Sequence, residues 1–252
     1  MQRFTGFFPL FILGMGMVWG QTGYEIAKMV DDRKEPADMT ADLTMVLTNS
    51  KGKTRTNIIH TVSKNGGKKQ IIWFLSPPDD RGVAFLKIEH QEGEDEMRLW
   101  LPAFKKVRRI SSKKKGDAFM GSDLSYEDLT NRDLEENEYR RLEDEIVEGK
   151  DCYVLEVTPK PEAQSTYSRH VSWIVKQDLT LLKEESYDRS GRLKKKKTFR
   201  YSKLKSYDMP KEIFVEDVQK KHTTRLTFDQ MEVDTGIKES LFQEKNLKRL
   251  PR

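Results

Sequence analysis

Asp42-Leu-Thr-Met-Val-Leu-Thr-Asn-Ser-Lys-Gly-Lys-Thr-Arg-Thr-Asn-Ile-Ile-His-Thr-Val-Ser-Lys-Asn-Gly-Gly-Lys-Lys-Gln-Ile-Ile-Trp-Phe-Leu-Ser-Pro-Pro78 decides the fold. Three apolar runs, 42–48, 55–62 and 69–75, are rich in β-branched and aromatic residues and alternate with polar ones, as half-buried strands do. The first pair is joined by the turn residues 49–52. The second pair meets at Asn65-Gly66-Gly67, a strong hairpin signal. Pro77-Pro78 stops the third run, because proline has no N–H to give a ladder.

The same pattern extends in both directions. Further strands read at 83–88, 96–101, 104–110, 139–147, 151–158, 170–175, 181–187, 193–204, 213–218 and 222–231. Residues 111–138 break it with Ser, Lys, Gly, Asp and Glu; they read as a long crossing loop with a helical turn near 125–129. Residues 23–34 place Tyr24, Ile26, Ala27, Met29 and Val30 near one helical face. Thr22 and Glu25 form a capping box before it. Connections this short force antiparallel neighbours. About a dozen such strands exceed a comfortable flat sheet, so the sheet must curl into a barrel, a half-barrel or a sandwich. The fold class is mainly β, a curved antiparallel sheet covered by a few helices.

The N-terminus carries a separate signal. Arg3 is the only charge before Glu25, and Phe4 to Gly20 is apolar and small. Gly and Pro interrupt this run, which is too short for a comfortable membrane span. It reads as a cleaved secretory signal over residues 1–20, with Val18 and Gly20 at the −3 and −1 positions. An uncleaved anchor is the alternative. Residues 21–252 then form one domain, exported and soluble. Charged residues make up 35% of the chain, but the net charge is only +5, which calls for no nucleic-acid partner. The single Cys152, in an apolar strand, is a buried structural thiol without a disulfide partner.

Catalytic patterns are absent from the sequence. No two of His60, His90, His170 and His222 stand at metal-binding spacing, and there is no HExxH, CxxC or Gly-x-Ser-x-Gly motif. Asn65-Gly66-Gly67 is too short for a phosphate loop. The reading is a non-enzyme with no cofactor. An envelope structural or adhesive protein with a solid β core, and a lipid-acting hydrolase with a cryptic site, stand as alternatives.

Several segments resemble a known family. Leu99-Trp-Leu-Pro-Ala-Phe-Lys-Lys-Val-Arg-Arg-Ile110, Phe119-Met-Gly-Ser-Asp-Leu-Ser-Tyr-Glu-Asp-Leu129 and Gly149-Lys-Asp-Cys-Tyr-Val-Leu-Glu-Val-Thr-Pro159 are similar to the outer membrane lipoprotein-sorting proteins. These are the LolA-like carriers of Gram-negative envelopes. Arg81–Leu86, Trp173-Ile174, Tyr187–Gly191 and Gly236–Phe242 also match, so the resemblance runs over residues 25–250. It implies a LolA/LolB-like incomplete β-barrel whose open side is closed by helices. It implies an apolar cavity for acyl chains and a monomeric periplasmic carrier moving cargo toward the outer membrane. The cargo would be an acylated lipoprotein or a phospholipid, received from an inner-membrane transporter or permease.

Alternation nominates the cavity residues, since every second side chain of a curved sheet faces inward. The candidates are Ile72, Phe74, Phe85, Leu99, Trp100, Leu101, Val171, Trp173, Val175 and Phe228. Two basic runs remain. Lys113, Lys114 and Lys115, in the loop before Phe119, are candidates for contact with lipid headgroups or an acidic partner. Lys194–Lys197 puts charge on both strand faces and so reads as an edge or a projection beyond the sheet.

The exported protein should begin at Gln21, within a residue or two. N-terminal sequencing checks this; a protein that keeps Met1 and fractionates with membranes would make the segment an anchor.

Overall fold

A computed structural model describes residues 20–91 and 93–251; residues 1–19, and with them nearly all of the expected signal, lie outside the described part. Helix α1 (Gly23–Asp31) starts at the expected box: Thr22 Oγ1 accepts the Glu25 N–H at 3.2 Å, and Glu25 accepts the Thr22 N–H at 2.7 Å. It ends three residues before the periodicity predicts. Ile26 and Ala27 pack it onto Leu155, Val157 and Ile174. Gly23 permits that approach, because a Cβ there would lie 2.8 Å from the Tyr139 carbonyl oxygen.

The strands are β1 (Asp38–Thr48), β2 (Thr54–Lys64), β3 (Lys69–Ser76), β4 (Ala84–Ile88), β5 (Glu96–Leu101), β6 (Lys106–Arg109), β7 (Asn137–Arg141), β8 (Glu145–Val147), β9 (Lys150–Pro159), β10 (Tyr167–Val175), β11 (Leu181–Asp188), β12 (Leu193–Leu204), β13 (Tyr207–Asp217) and β14 (His222–Val233). All pair antiparallel in one 14-stranded sheet, in the order β6-β5-β4-β3-β2-β1-β14-β13-β12-β11-β10-β9-β7, with β8 beside β7 on β9. The expected strand 139–147 is thus two short ones. The sheet is mostly a meander. Its one long-range join is β1 with β14, in a register that sets Leu43 opposite Phe228 and Met45 opposite Leu226. The sheet stays open between β6 and β7, so it is not a closed barrel.

It is nevertheless strongly curled. Ile72 on β3 and His170 on β10 line the same cavity. Those strands are seven spacings apart, roughly 34 Å if the sheet were flat. The inner face of the N-terminal strands, with Phe74 and Phe85, is filled by the crossing segment, residues 110–136. Phe119 and Tyr126 of that segment stack on Phe85 with ring centroids 5.3 and 5.5 Å away. The outer face of the same strands carries Ile71, Trp73 and Leu86, covered by Phe242 and Leu247 of the C-terminal tail. Asp38 fixes the start of that tail by accepting the N–H groups of Thr235, Gly236 and Ile237.

One expectation is overturned here. Lys194–Lys197 is neither an edge nor a projection. It lies in β12, an interior strand, and Lys195 and Lys197 are buried on the inner face while Lys196 points out. A buried lysine is tolerable only with a carboxylate beside it, and both have one.

Candidate functional site

The crossing segment covers the inner face of the N-terminal strands, and α1 covers that of β9 and β10. Between these covers the middle of the sheet is bare. The result is a cavity of about 640 Å³, within the usual range for ligand sites. Its floor is apolar: Leu43 and Met45 of β1, Phe199 of β12, Ile213 of β13, and Leu226 and Phe228 of β14. Val30 of α1 and Leu181 of β11 close one side. Phe199, Ile213 and Phe228 are only half-buried, so no protein atoms fill the space above them.

Of the residues nominated from sequence, Ile72 and Phe228 line this cavity. Phe74, Phe85 and Leu99 are on the same inner face, but in the solid aromatic packing under the crossing segment, with Leu101 half-buried against it. Trp100 is on the other face, with the Lys248 ammonium 5.3 Å from its ring centroid. Val171, Trp173 and Val175 also face outward, around the free and buried Cys152. Trp173 Nε1 donates to Glu145 at 2.9 Å, and the Lys183 ammonium sits 3.9 Å from the Trp173 ring centroid. Placing these four in the cavity is therefore corrected. Alternation groups residues by face but carries no sign, and every residue from His170 to Val175 is buried whichever way it points. Lys113 and Lys114 are exposed in a 3₁₀ turn, while Lys115 lines the cavity and donates to the Ala163 carbonyl.

The cavity wall holds a buried ionic cluster that the linear pattern did not expose. Asp128 of the crossing segment accepts from Lys195 Nζ at 2.6 Å and Lys197 Nζ at 2.5 Å. Tyr167 OH and the Ser125 hydroxyl also donate to it. Lys197 reaches Glu184 at 3.1 Å, and Arg132 grips Glu184 bidentately at 2.6 and 2.9 Å. Glu184 stands directly across the ladder from Lys197 on β12 and from Ser172 on β10. That cross-strand pairing of opposite charges was the available signal. Burial alone would raise both carboxyls. Lys197 and Lys195 more than offset it at Asp128, and Arg132 and Lys197 at Glu184, holding both well below the usual range. Burial and the Arg132 guanidinium push the His170 imidazole well below its ordinary value, so it is neutral. Burial and Asp128 keep Tyr167 protonated.

Other strands hold the same segment. Buried Lys87 of β4 donates to the Leu129 carbonyl and to Glu89, both at 2.6 Å. Thr224 of β14 donates to Asp123 at 2.7 Å, and His222 lies 2.7 Å from the same carboxylate. The arrangement is a pinned wall over an apolar floor. Among the described residues no group of three or more His, Cys, Asp or Glu is placed to hold a metal ion. No described helix is long and apolar enough to cross a membrane.

A family model described as "Uncharacterized protein" matches residues 66–249. The chain is 35% identical to a domain from Vibrio parahaemolyticus designated as outer membrane lipoprotein-sorting protein, over 90% of this chain and 98% of that one, with a TM-score of 0.85. It is 34% identical to a DUF1329 family protein from Desulfovibrio piger, over 89% of this chain and 97% of that one, with a TM-score of 0.84. A LolA superfamily protein from Nitrosomonas europaea has the same fold at 18% identity, with 90% and 99% coverage and a TM-score of 0.72. No curated protein matches the sequence.

Two outcomes follow from the cluster. Asp128→Ala strands the buried Lys195 ammonium and leaves Lys197 with Glu184 alone, and should cost about 3–5 kcal/mol in urea unfolding. His170 gives a pH signature. It is neutral when folded but titrates near 6.5 when unfolded, so the unfolded chain binds the proton first. Stability is complete above about pH 6.5 and falls below it. Between pH 7 and pH 5 this one residue should remove on the order of 2 kcal/mol. Urea titrations of wild type and His170→Gln at both pH values measure it. An unchanged pH slope in the variant would mean that the imidazole is charged in the fold.

Proposed function

We propose, from the premise that the chain belongs to the LolA-like family of outer membrane lipoprotein-sorting proteins, that it is a non-catalytic periplasmic carrier. It takes the acyl chains of a lipoprotein or another lipid into the cavity between the curved sheet and its covers. The observation that carries this reading is the apolar floor of half-exposed Phe199, Ile213 and Phe228 inside a space of about 640 Å³. Burying a C16 chain gains about 0.8 kcal/mol per CH₂, on the order of 10 kcal/mol before costs. Such a gain needs no directional chemistry, so it needs no motif. It is also bounded, so the cargo can leave again.

The apolar N-terminal run supports export to the periplasm, where an inner-membrane transporter or permease would hand over cargo. The carrier acts as a monomer, without nucleic acid or cofactor. Lys113 and Lys114, exposed in the first turn of the crossing segment, meet headgroups or an acidic docking face; Lys115 stands at the cavity itself.

Ile213→Asp and Phe228→Asp place a charge on the cavity floor. Each should weaken binding of a fluorescent fatty-acyl probe at least tenfold, about 1.4 kcal/mol, when compared at equal folded fraction. Val171→Asp, on the outer face, should leave binding per folded molecule unchanged. Native mass spectrometry of the purified protein should find lipid bound. Equal probe uptake by wild type and both floor variants would sink the carrier reading and favour a solid-core envelope protein.

A further inference from the structure

The stretch Phe104–Lys115 is unlike the rest of the surface. Its twelve residues hold seven of the chain's 46 Lys and Arg and none of its 41 Asp and Glu, so more than the whole net charge of +5 resides here. The fold places it along one margin: the 3₁₀ turn Pro102–Phe104 at the tip of the β5–β6 hairpin, the edge strand β6, and the 3₁₀ turn Ser112–Lys114. Elsewhere many surface cations are laced to carboxylates, as in Arg140–Glu156, Arg192–Asp188 and Lys203–Asp208, and exposed ones unpaired among the described residues, such as Lys211 and Lys245, stand beside acidic residues rather than in an uninterrupted basic run. Of this stretch only Arg109 is so paired, with Glu94. Lys105, Lys106, Arg108, Lys113 and Lys114 have no carboxylate partner among the described residues.

Charge alone has a bland explanation, since cations on an edge strand discourage a foreign strand from adding to it. Phe104 does not fit that explanation. It is 69% exposed at the hairpin tip, and a bare aromatic there invites contact rather than preventing it. Its turn is firmly built. The Lys105 N–H closes on the Pro102 carbonyl with Lys105 in the left-handed region at φ 48°, and the Pro102 ring packs close over Gly82. The ring is held out, not loosely displayed.

We propose that this margin docks the protein on an anionic lipid bilayer, with Phe104 entering the interface and the unpaired cations around it resting on headgroups. A single protruding aromatic on a cationic margin suits a soft planar surface. Five unpartnered cations supply the attraction to an anionic leaflet. The stretch ends at Lys115 in the cavity wall, so docking here sets the cavity beside the lipid. This widens the headgroup contact proposed above for Lys113 and Lys114. It does not depend on the cavity holding cargo, because vesicle binding and acyl-probe uptake are separate measurements.

The test is co-sedimentation of the purified exported protein with vesicles of mixed phosphatidylcholine and phosphatidylglycerol, against pure phosphatidylcholine. Two variants, Phe104→Ser and the triple Lys105→Gln, Lys106→Gln, Arg108→Gln, alter exposed positions, and a thermal melt verifies that both fold. Wild type should partition onto the anionic vesicles at low salt. It should release near 1 M salt, where the screening length falls to about 3 Å. Phe104→Ser should lower the partition coefficient about tenfold and the triple variant by more. An environment-sensitive dye on Phe104→Cys should shift to the blue with anionic vesicles only; the chain's other thiol, Cys152, is buried and will not compete for label. Equal binding to neutral and anionic vesicles overturns the proposal. So does salt-sensitive binding that Phe104→Ser leaves unchanged without a dye shift, which would make the margin a charged dock for an acidic protein.

Discussion

Two lysines of one strand close on a single aspartate, and the rest of the molecule is arranged around that contact. Lys195 on β12 could not be buried without Asp128, nor Asp128 without Lys195 and Lys197, and Lys197 shares its charge with Glu184 as well. Removing ions from water costs several kcal/mol each, so neither side of the contact gains by forming alone. Such an interaction contributes little net stability but discriminates strongly between positions. It fixes where the crossing segment must lie, since any slippage would leave a buried charge unpaired. Glu184 and Arg132 extend the same discrimination to β11.

The segment is fixed a second time at the far side of the sheet, where Lys87 of β4 holds the Leu129 carbonyl. Six strand spacings separate β4 from β12, about 29 Å on a flat sheet, yet the residues they grip, Leu129 and Asp128, are adjacent. The sheet has to curl to satisfy both anchors. Curvature is therefore imposed by polar contacts from within as much as by strand twist.

Most of the strands could be read from the sequence, because period-2 alternation and turn residues are local. Asn65, Gly66 and Gly67 do take left-handed conformations between β2 and β3. The capping box of α1 was equally local. What resisted reading was non-local. Lys195 and Lys197 looked exposed because their counter-charge lies 67 and 69 residues earlier. The outward placement of Trp100 and Trp173 was hidden for another reason: both faces of the sheet are covered, one by the crossing segment and α1, the other by the tail and the β7–β8 region. With apolar residues on both sides, no local rule tells which is inner. Phe199 and Ile213 were missed with them, since their face follows from the lysines of β12.

The cavity itself is a consequence of the anchors. Protein interiors ordinarily close over voids of this size, because unfilled apolar surface forfeits packing and costs stability in proportion to the space left. Here the wall cannot descend onto Phe199, Ile213 and Phe228. To do so, Asp128 would have to leave Lys195 and Lys197, and Arg132 would have to leave Glu184. Each departure breaks a buried ion pair, at about 3–5 kcal/mol where it leaves a charge uncompensated, and so opposes collapse of the wall. The α1 side is fixed as well, by its own apolar contacts with β9 and β10. The floor is thus held open by polar contacts that resist collapse of the wall, and an apolar occupant would make the contacts with Phe199, Ile213 and Phe228 that the wall does not.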